Sequence, residues 1–197
     1  MKNCMQLRSS MYLDTIQDPL KRRMAETGLD MFEKNFMPII PQLPSQTIHS
    51  DLNEQNLLMQ KSNGKKRITG LIDFGDMVSS CRVFEVSTCM MYLSLLNPDD
   101  CIEIAGSVLA GYLSESMLTQ CEFDALYYCV IGRLLMSLIL GSYQYSKLDT
   151  GNDYLMITSK PGWTVLATLL QYQHSRKDIL KGWLNFCSAE AQEFYIV

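Results

Sequence analysis

Between residues 18 and 38 the apolar side chains recur with the period of an α-helix. Asp18 followed by Pro19 is a typical helix start, because Asp caps the first backbone amides and Pro fits the first helical position. The apolar positions that follow are Leu20, Met24, Leu29, Phe32 and Phe36. Since proline lacks the amide hydrogen that a helix needs, the helix is predicted to end before Pro38.

From residue 47 the pattern changes to short apolar runs separated by polar turns. Residues 47–49 are strand-like, residues 56–60 form a second short run, and residues 67–73 form a third. Asn63-Gly64 between the last two runs is typical of a two-residue hairpin turn. The pattern predicts one β-hairpin with a polar loop at each end.

The remainder of the chain has helical patterns only. Asn97-Pro98 ends the first of these helices, and Thr119 with Glu122 forms a capping box at the start of the longest one. The predicted helices cover residues 83–96, 99–116, 120–145, 162–172 and 176–186, with a short helical turn over 152–158. The predicted fold class is therefore α+β, mostly α, with one small sheet.

Composition narrows the class of protein further. The 197 residues are 47% hydrophobic and 19% charged, with a net charge of -4, which is typical of one globular domain and excludes a basic nucleic-acid surface. None of the seven cysteines forms a C-x-x-C pair, so free thiols are expected rather than a zinc site. The first residues contain no apolar signal segment, and Arg133 interrupts the most apolar stretch, residues 126–141. We therefore expect a cytoplasmic protein with no membrane partner.

Two polar motifs flank the predicted hairpin. Residues 49–56 have the pattern H-x-D-x-x-x-x-N, and residues 73–76 read Asp-Phe-Gly-Asp. In kinases the Asp of the first motif orients or deprotonates the attacking hydroxyl. The Asn of the first motif and the Asp that begins the second motif bind metal. This assigns Asp51 as the catalytic residue and Asn56 and Asp73 as ligands of Mg²⁺. The competing interpretation, in which Asp51 caps a turn and Asp73 ends a strand, requires both motifs to occur by chance.

These motifs resemble those of the aminoglycoside phosphotransferase-like kinases, a branch of the protein-kinase-like fold. Residues 49–52 are similar to the H-G-D-L of that family, with Ser50 in place of the usual Gly, and residues 71–76 match L-I-D-F-G-D. Within the family, the chain is most similar to the kinases that phosphorylate 5-hydroxy-L-lysine. The similar stretches are residues 51–53, 73–77, 83–86, 108–112, 153–156 and 160–163.

The resemblance implies an architecture for residues 1–197: the carboxy-terminal lobe of the kinase-like fold. Its parts would be the catalytic loop at 49–56, the metal-binding motif at 73–76 and a helical subdomain over 83–197. The amino-terminal nucleotide lobe is expected to be absent, because no G-x-G-x-x-G and no G-K-[ST] occurs in the sequence. A truncated chain with weakened nucleotide affinity is the resulting expectation.

The resemblance also implies an activity, the transfer of the γ-phosphate of GTP, or of ATP, to the hydroxyl of 5-hydroxy-L-lysine in lysine breakdown. Asp51 would be catalytic, and Asn56 and Asp73 would bind the nucleotide through Mg²⁺. The supporting residues would be His49 as a scaffold of the loop, Asp76 near the metal and Glu85 at the next helix. For Glu85, a tie to the catalytic loop and a plain helix-surface acid are equally good interpretations.

Several alternatives stay open on the sequence alone. Arg133 can pair with a buried acid or reach toward a substrate carboxylate, and the pairing is favoured. Acids that could bind the ammonium groups of the acceptor are Asp76, Glu85, Asp149 and Asp153. The chain could instead be a catalytically silent kinase-like lobe that acts in binding, or a kinase for another small hydroxyl compound such as choline or an aminoglycoside.

Overall fold

The computed structural model of the chain describes residues 8–148, 152, 157–195 and 197. Two of the acids proposed for the acceptor, Asp149 and Asp153, lie outside the described residues. Most of the helical turn predicted over residues 152–158 lies outside them as well.

The described residues form seven α-helices and four β-strands. The helices are α1 Pro19–Asn35, α2 Val83–Leu96, α3 Cys101–Leu113, α4 Gln120–Lys147, α5 Ser159–Leu170, α6 Arg176–Leu184 and α7 Ala189–Phe194. The strands are β1 Ser45–Ile48, β2 Leu57–Ser62, β3 Lys65–Leu71 and β4 Val78–Cys81. The predicted α+β, mostly helical class is confirmed.

Local backbone chemistry accounts for the elements that the sequence predicts well. The Asp18 carboxylate accepts hydrogen bonds from the amides of Leu20 and Lys21 and so begins α1 where expected. Asn63 and Gly64 both have positive φ, at 50° and 75°, which is the geometry of the predicted hairpin turn between β2 and β3.

The sheets and two of the helices differ from the prediction. The structure has two small antiparallel sheets rather than one, because β1 pairs with β4 and the hairpin β2–β3 stands apart. The strand β4 was missed because Val-Ser-Ser-Cys carries little strand preference of its own. Helix α7 was not predicted. Helix α5 begins at Ser159 rather than at residue 162, because a proline such as Pro161 is tolerated in the first turn of a helix.

Helix α4 forms the centre of the core. It packs against α1, α2 and α5, and 72% of its most apolar 18-residue stretch is buried. By length and composition α4 could cross a bilayer, but its apolar surface is covered by other helices. Gly132 permits close contact with α1, because a Cβ at this position would lie 2.5 Å from ring carbons of Phe32. The structure therefore uses α4 as a core helix.

The thiols follow the expectation from the sequence. Six of the seven cysteines are described, and all six are free. Burial, together with the nearby Glu85 carboxylate, raises the pKa of Cys89 to about 11. Burial also raises the pKa of Cys129 well above its ordinary value. These thiols are protonated at neutral pH and pack as small apolar groups.

A buried ion pair joins the start of α2 to the start of α4. The Arg82 guanidinium donates to both carboxylate oxygens of Glu122, at 2.7 and 2.8 Å, and Glu122 is fully buried. Arg82 also donates to the carbonyl of Met117 at 3.0 Å. The pair fixes the position of α2, which contacts the predicted catalytic loop.

Candidate active site

The predicted catalytic loop begins where β1 ends. Ser50 has φ of 74°, in the left-handed region, so the chain turns sharply after His49. Asn53 then caps a short helical turn, because its side-chain oxygen accepts from the amides of Gln55 and Asn56. The loop thus returns directly into β2.

Glu85 contacts this loop from the first turn of α2. Its two carboxylate oxygens accept from the backbone amides of His49, at 3.2 Å, and Ser50, at 2.9 Å. A charged acceptor satisfies two amides that the sharp turn leaves without backbone partners. Of the two interpretations open for Glu85, these contacts are those of a tie between α2 and the loop.

His49 connects the loop to the second motif. Its Nε2 lies 2.8 Å from the carbonyl oxygen of Ile72, and its Nδ1 accepts from the amide of Asp51 at 3.4 Å. These contacts require the proton on Nε2. The imidazole also makes an edge contact with Phe74, with ring centroids 5.1 Å apart. His49 thus links the backbone of Asp51 to that of Ile72, the residue before Asp73.

Three side chains donate to the Asp51 carboxylate. Its Oδ2 accepts from Asn53 at 2.9 Å and from Asn56 at 3.3 Å, and its Oδ1 accepts from Arg133 at 3.2 Å. Asn56 Nδ2 also donates to the backbone carbonyl of Asp51 at 2.8 Å. The carboxylate is therefore held in one orientation, which is the positioning that phosphoryl transfer demands of a protein.

The hairpin brings the second motif back to the loop. Leu71 pairs with Leu57, and the amide of Ile72 donates to the carbonyl of Asn56 at 3.0 Å. Asp73 comes next, with φ 63° and ψ 64°, a left-handed conformation that costs energy for a residue with a side chain. Such strain is concentrated at functional sites.

The donors present fit a hard divalent cation. The amide nitrogen of Asn56 is committed to Asp51, which leaves its amide oxygen as the possible ligand. Asp73 and Asp76 are exposed carboxylates, and no ion pair is recorded for either within the described part of the chain. The described residues contain no group of three or more His, Cys, Asp or Glu close enough for a metal. Any metal here would thus take oxygens from Asn56, from Asp73 and from a bound phosphate, as Mg²⁺ often does.

A cavity of about 600 Å³ opens beside Asp51. Its walls come from the catalytic loop, from α2 and α4, and from the start of α5. Asp76 and Arg133 line it, whereas Asp73 and Glu85 do not. The acid that the sequence could not identify for Arg133 is therefore the predicted catalytic residue itself.

Two hydrogen-bond partners of Arg133 in this cavity, Tyr92 and Ser137, were not predicted from the sequence. Arg133 donates to the Tyr92 hydroxyl and to the Ser137 hydroxyl, each at 2.7 Å. Burial raises the pKa of Tyr92, so its hydroxyl stays protonated. The spacing could have found them, since Tyr92 is seven residues after Glu85 on α2 and Ser137 is four after Arg133 on α4.

Replacing Ser50 by Gly is expected to raise the free energy of unfolding by about 1 kcal/mol, because Gly adopts positive φ without steric cost. Chemical denaturation measures the change. Ser79→Gly in β4 is the matched control, and it should lower stability by about 0.5–1 kcal/mol because the strand has ordinary φ. Equal losses in the two variants would show that Ser50 is not strained.

A positioned carboxylate on a sharp loop, a hairpin that returns an Asp-Phe-Gly-Asp motif, and a helical remainder are the features expected of the kinase-like fold. The chain belongs to the phosphotransferase enzyme family, whose sequence pattern matches residues 4–121. The family expected from residues 49–52 and 71–76 is thereby confirmed.

Curated relatives carry a more specific name. The chain is 29% identical over 187 residues to hydroxylysine kinase of Mus musculus, covering 92% of this chain and 49% of the relative. It is 30% identical over 179 residues to hydroxylysine kinase of Bos taurus, covering 88% of this chain and 47% of the relative. The chain thus spans about half the length of the curated relatives it matches.

A solved structure shares the fold. It is the microcompartment-associated aminopropanol kinase, with a TM-score of 0.56 and 20% identity. The match covers 81% of this chain and 47% of that one. Fold and family agree: the chain shares the fold of that kinase and belongs to the phosphotransferase enzyme family.

Proposed function

We propose that this chain provides the catalytic residues of a kinase that transfers the γ-phosphate of GTP, or of ATP, to the hydroxyl of 5-hydroxy-L-lysine. The observation that carries the proposal is the Asp51 carboxylate, which is held by three donors at the wall of a cavity large enough for an amino acid. The names of the relatives support this acceptor. Lysine breakdown in the cytoplasm would be the setting.

Asp51 would act on the acceptor hydroxyl. In this proposal the hydroxyl oxygen forms a bond to the γ-phosphorus while the bond from that phosphorus to the bridging oxygen breaks. The hydroxyl proton passes to Asp51, and the nucleoside diphosphate leaves with the bond's electrons. Asp51 would thus contribute in two ways, by orienting the hydroxyl and by accepting its proton.

The other residues would position this reaction. Asn56 and Asp73 would hold Mg²⁺, which when bound neutralises phosphate charge. His49 and Glu85 would keep the loop in register through the contacts described above, and Asp76 would lie near the metal and the acceptor. We assign residues 49–56 as the catalytic loop, 73–76 as the metal-binding motif and 83–197 as the helical subdomain.

The test is acceptor-dependent nucleotide turnover. Two preparations are compared: the chain alone, and the chain mixed with the half of the mouse relative that it does not match, produced separately. Each is incubated with Mg²⁺, GTP or ATP, and one acceptor. Release of nucleoside diphosphate and the ³¹P spectrum of the product are measured. We expect 5-hydroxy-L-lysine to exceed choline, 1-amino-2-propanol and an aminoglycoside by about tenfold or more in kcat/KM, a difference of about 1.4 kcal/mol. No turnover with 5-hydroxy-L-lysine in either preparation would contradict the proposal.

A further inference from the structure

The cavity beside Asp51 has an uneven charge distribution. Three carboxylates line it, those of Asp51, Glu54 and Asp76, whereas Arg133 is the single cation among its described lining residues. A ligand that matches these charges carries cationic groups and one anionic group. Hydroxyl amines such as choline supply only the cation.

Arg133 has hydrogen-bonding capacity that the chain does not use. The residue is 9% exposed, and its guanidinium carries five N–H groups. It makes three hydrogen bonds, to Ser137, Tyr92 and Asp51, and its Cζ lies 4.9 Å from the centre of the Tyr92 ring. The buried Nε has no hydrogen-bond partner among the described residues. Among the described residues Nη1 donates only to Ser137, so one of its two N–H groups remains for a further acceptor.

The Arg82–Glu122 pair shows what a structural arginine pair looks like in the same molecule. Arg82 donates through two nitrogens to two carboxylate oxygens, at 2.7 and 2.8 Å. Arg133 instead reaches Asp51 through one nitrogen, at 3.2 Å, and shares that nitrogen with Tyr92. The forked geometry that suits a carboxylate is therefore not satisfied by Asp51.

We propose that Arg133, together with the hydroxyls of Tyr92 and Ser137, binds a carboxylate of the acceptor and so selects hydroxy-amino acids over hydroxyl amines. This inference rests on the proposed function and names the chemical class of its acceptor. In an acceptor that spans about 5 Å from hydroxyl-bearing carbon to carboxylate carbon, both ends reach their partners, since Arg133 lies beside Asp51. Glu54 and Asp76 supply the charge for ammonium groups.

The contact between Arg133 and Asp51 also has a consequence for the reaction. A carboxylate that takes over the guanidinium draws Nη2 away from Oδ1 of Asp51. That oxygen is then available to the acceptor hydroxyl, while Asn53 and Asn56 still hold Oδ2. An acceptor without a carboxylate does not compete for Arg133, so Arg133 keeps its hydrogen bond to Oδ1 of Asp51.

Calorimetric titration without nucleotide tests the inference separately from phosphate transfer. The ligands are 5-hydroxy-L-lysine, its carboxamide, and its decarboxylated analogue 1,5-diaminopentan-2-ol. The wild-type chain is expected to bind the amino acid about 30-fold more tightly than either analogue, in the range of a charge-assisted hydrogen-bond pair. Arg133→Lys should reduce that ratio to about threefold, because Lys keeps the charge but loses the fork.

Arg176→Lys is the matched control, because Arg176 pairs with Asp124 and does not line the cavity. It should leave the ratio unchanged. Carboxylate selectivity without any phosphate transfer would support this inference and contradict the proposed function. Transfer to 5-hydroxy-L-lysine by a wild-type chain that binds all three ligands equally would overturn the inference alone. A loss in Arg133→Lys that is equal for all three ligands would also overturn it, since Arg133 would then act only through Asp51. No binding of any ligand would overturn it as well.

Discussion

Replacement of Asp51 by Asn is expected to lower kcat for phosphate transfer by about 10³-fold, while KM for the acceptor changes little. The amide has nearly the shape of the carboxylate but cannot take the hydroxyl proton, and general-base residues contribute about 10²–10⁴-fold. A variant that lowers kcat and kcat/KM together has lost an interaction made in the transition state. Single-turnover measurements with the preparation that shows activity provide both constants.

The fold of this variant must be checked, because three donors converge on Asp51 and an amide has only one oxygen. Thermal unfolding should show a modest loss of about 1–2 kcal/mol. Asp51→Ala is less suitable because it removes both side-chain oxygens that accept from Arg133, Asn53 and Asn56, whereas Asn keeps one oxygen. Asp124→Asn is the matched control, since this acid pairs with Arg176 outside the cavity and should keep wild-type turnover. A kcat for Asp51→Asn within about threefold of wild type would exclude Asp51 as the base.

The elements that the sequence predicted correctly depend on neighbouring residues only. Asp18 caps the helix that begins one residue later, Asn63-Gly64 closes a hairpin between adjacent strands, and Thr119 with Glu122 begins α4. Each of these involves groups within a few positions of one another, so the local sequence is sufficient to predict the element. The pairing of β1 with β4 cannot be predicted in this way, because Ser45 pairs with Cys81 and the catalytic loop and the entire hairpin lie between them in sequence.

The same distinction applies to the candidate site. The residues of the loop and the Asp-Phe-Gly-Asp motif were recognisable because their spacing is set by one loop and one hairpin. The cavity wall was not recognisable, since Arg133 reaches Asp51 across 82 positions and Tyr92 across 41. Packing of α2 against α4 creates those contacts. Motif spacing therefore identified the residues proposed for the chemistry, and tertiary structure was needed for those proposed to select the acceptor.

The buried pair between Arg82 and Glu122 gives the largest expected effect on stability. Glu122→Gln should lower the free energy of unfolding by about 3 kcal/mol at pH 7, because it leaves the guanidinium of Arg82 without its anionic partner. Gln can still accept from the amide of Thr119, so the capping box at the start of α4 is retained, whereas the oxygen that accepts from Arg82 Nε is replaced by an NH2 group. Urea denaturation measures the difference.

The pH dependence gives a second, independent readout of the same pair. Burial opposes ionisation of Glu122, but the hydrogen bonds from Arg82 and Thr119 prevail and hold its pKa below the ordinary 4.5. A carboxylate with a depressed pKa in the folded state stabilises the fold above its unfolded pKa, and this contribution is lost as pH falls through the folded value. The wild type should therefore lose stability below about pH 4.5 more steeply than Glu122→Gln.

An exposed pair supplies the matched control. Glu26 pairs with Arg22 at 3.2 Å on the surface of α1, and Glu26→Gln should change stability by less than about 0.5 kcal/mol. The double variant Arg82→Met/Glu122→Leu should recover much of the loss, since an apolar pair of similar volume avoids burying charge. If Glu122→Gln were no more destabilising than Glu26→Gln, the pair would not fix α2 against α4. The position of Glu85 under the catalytic loop would then depend on apolar packing of α2 alone.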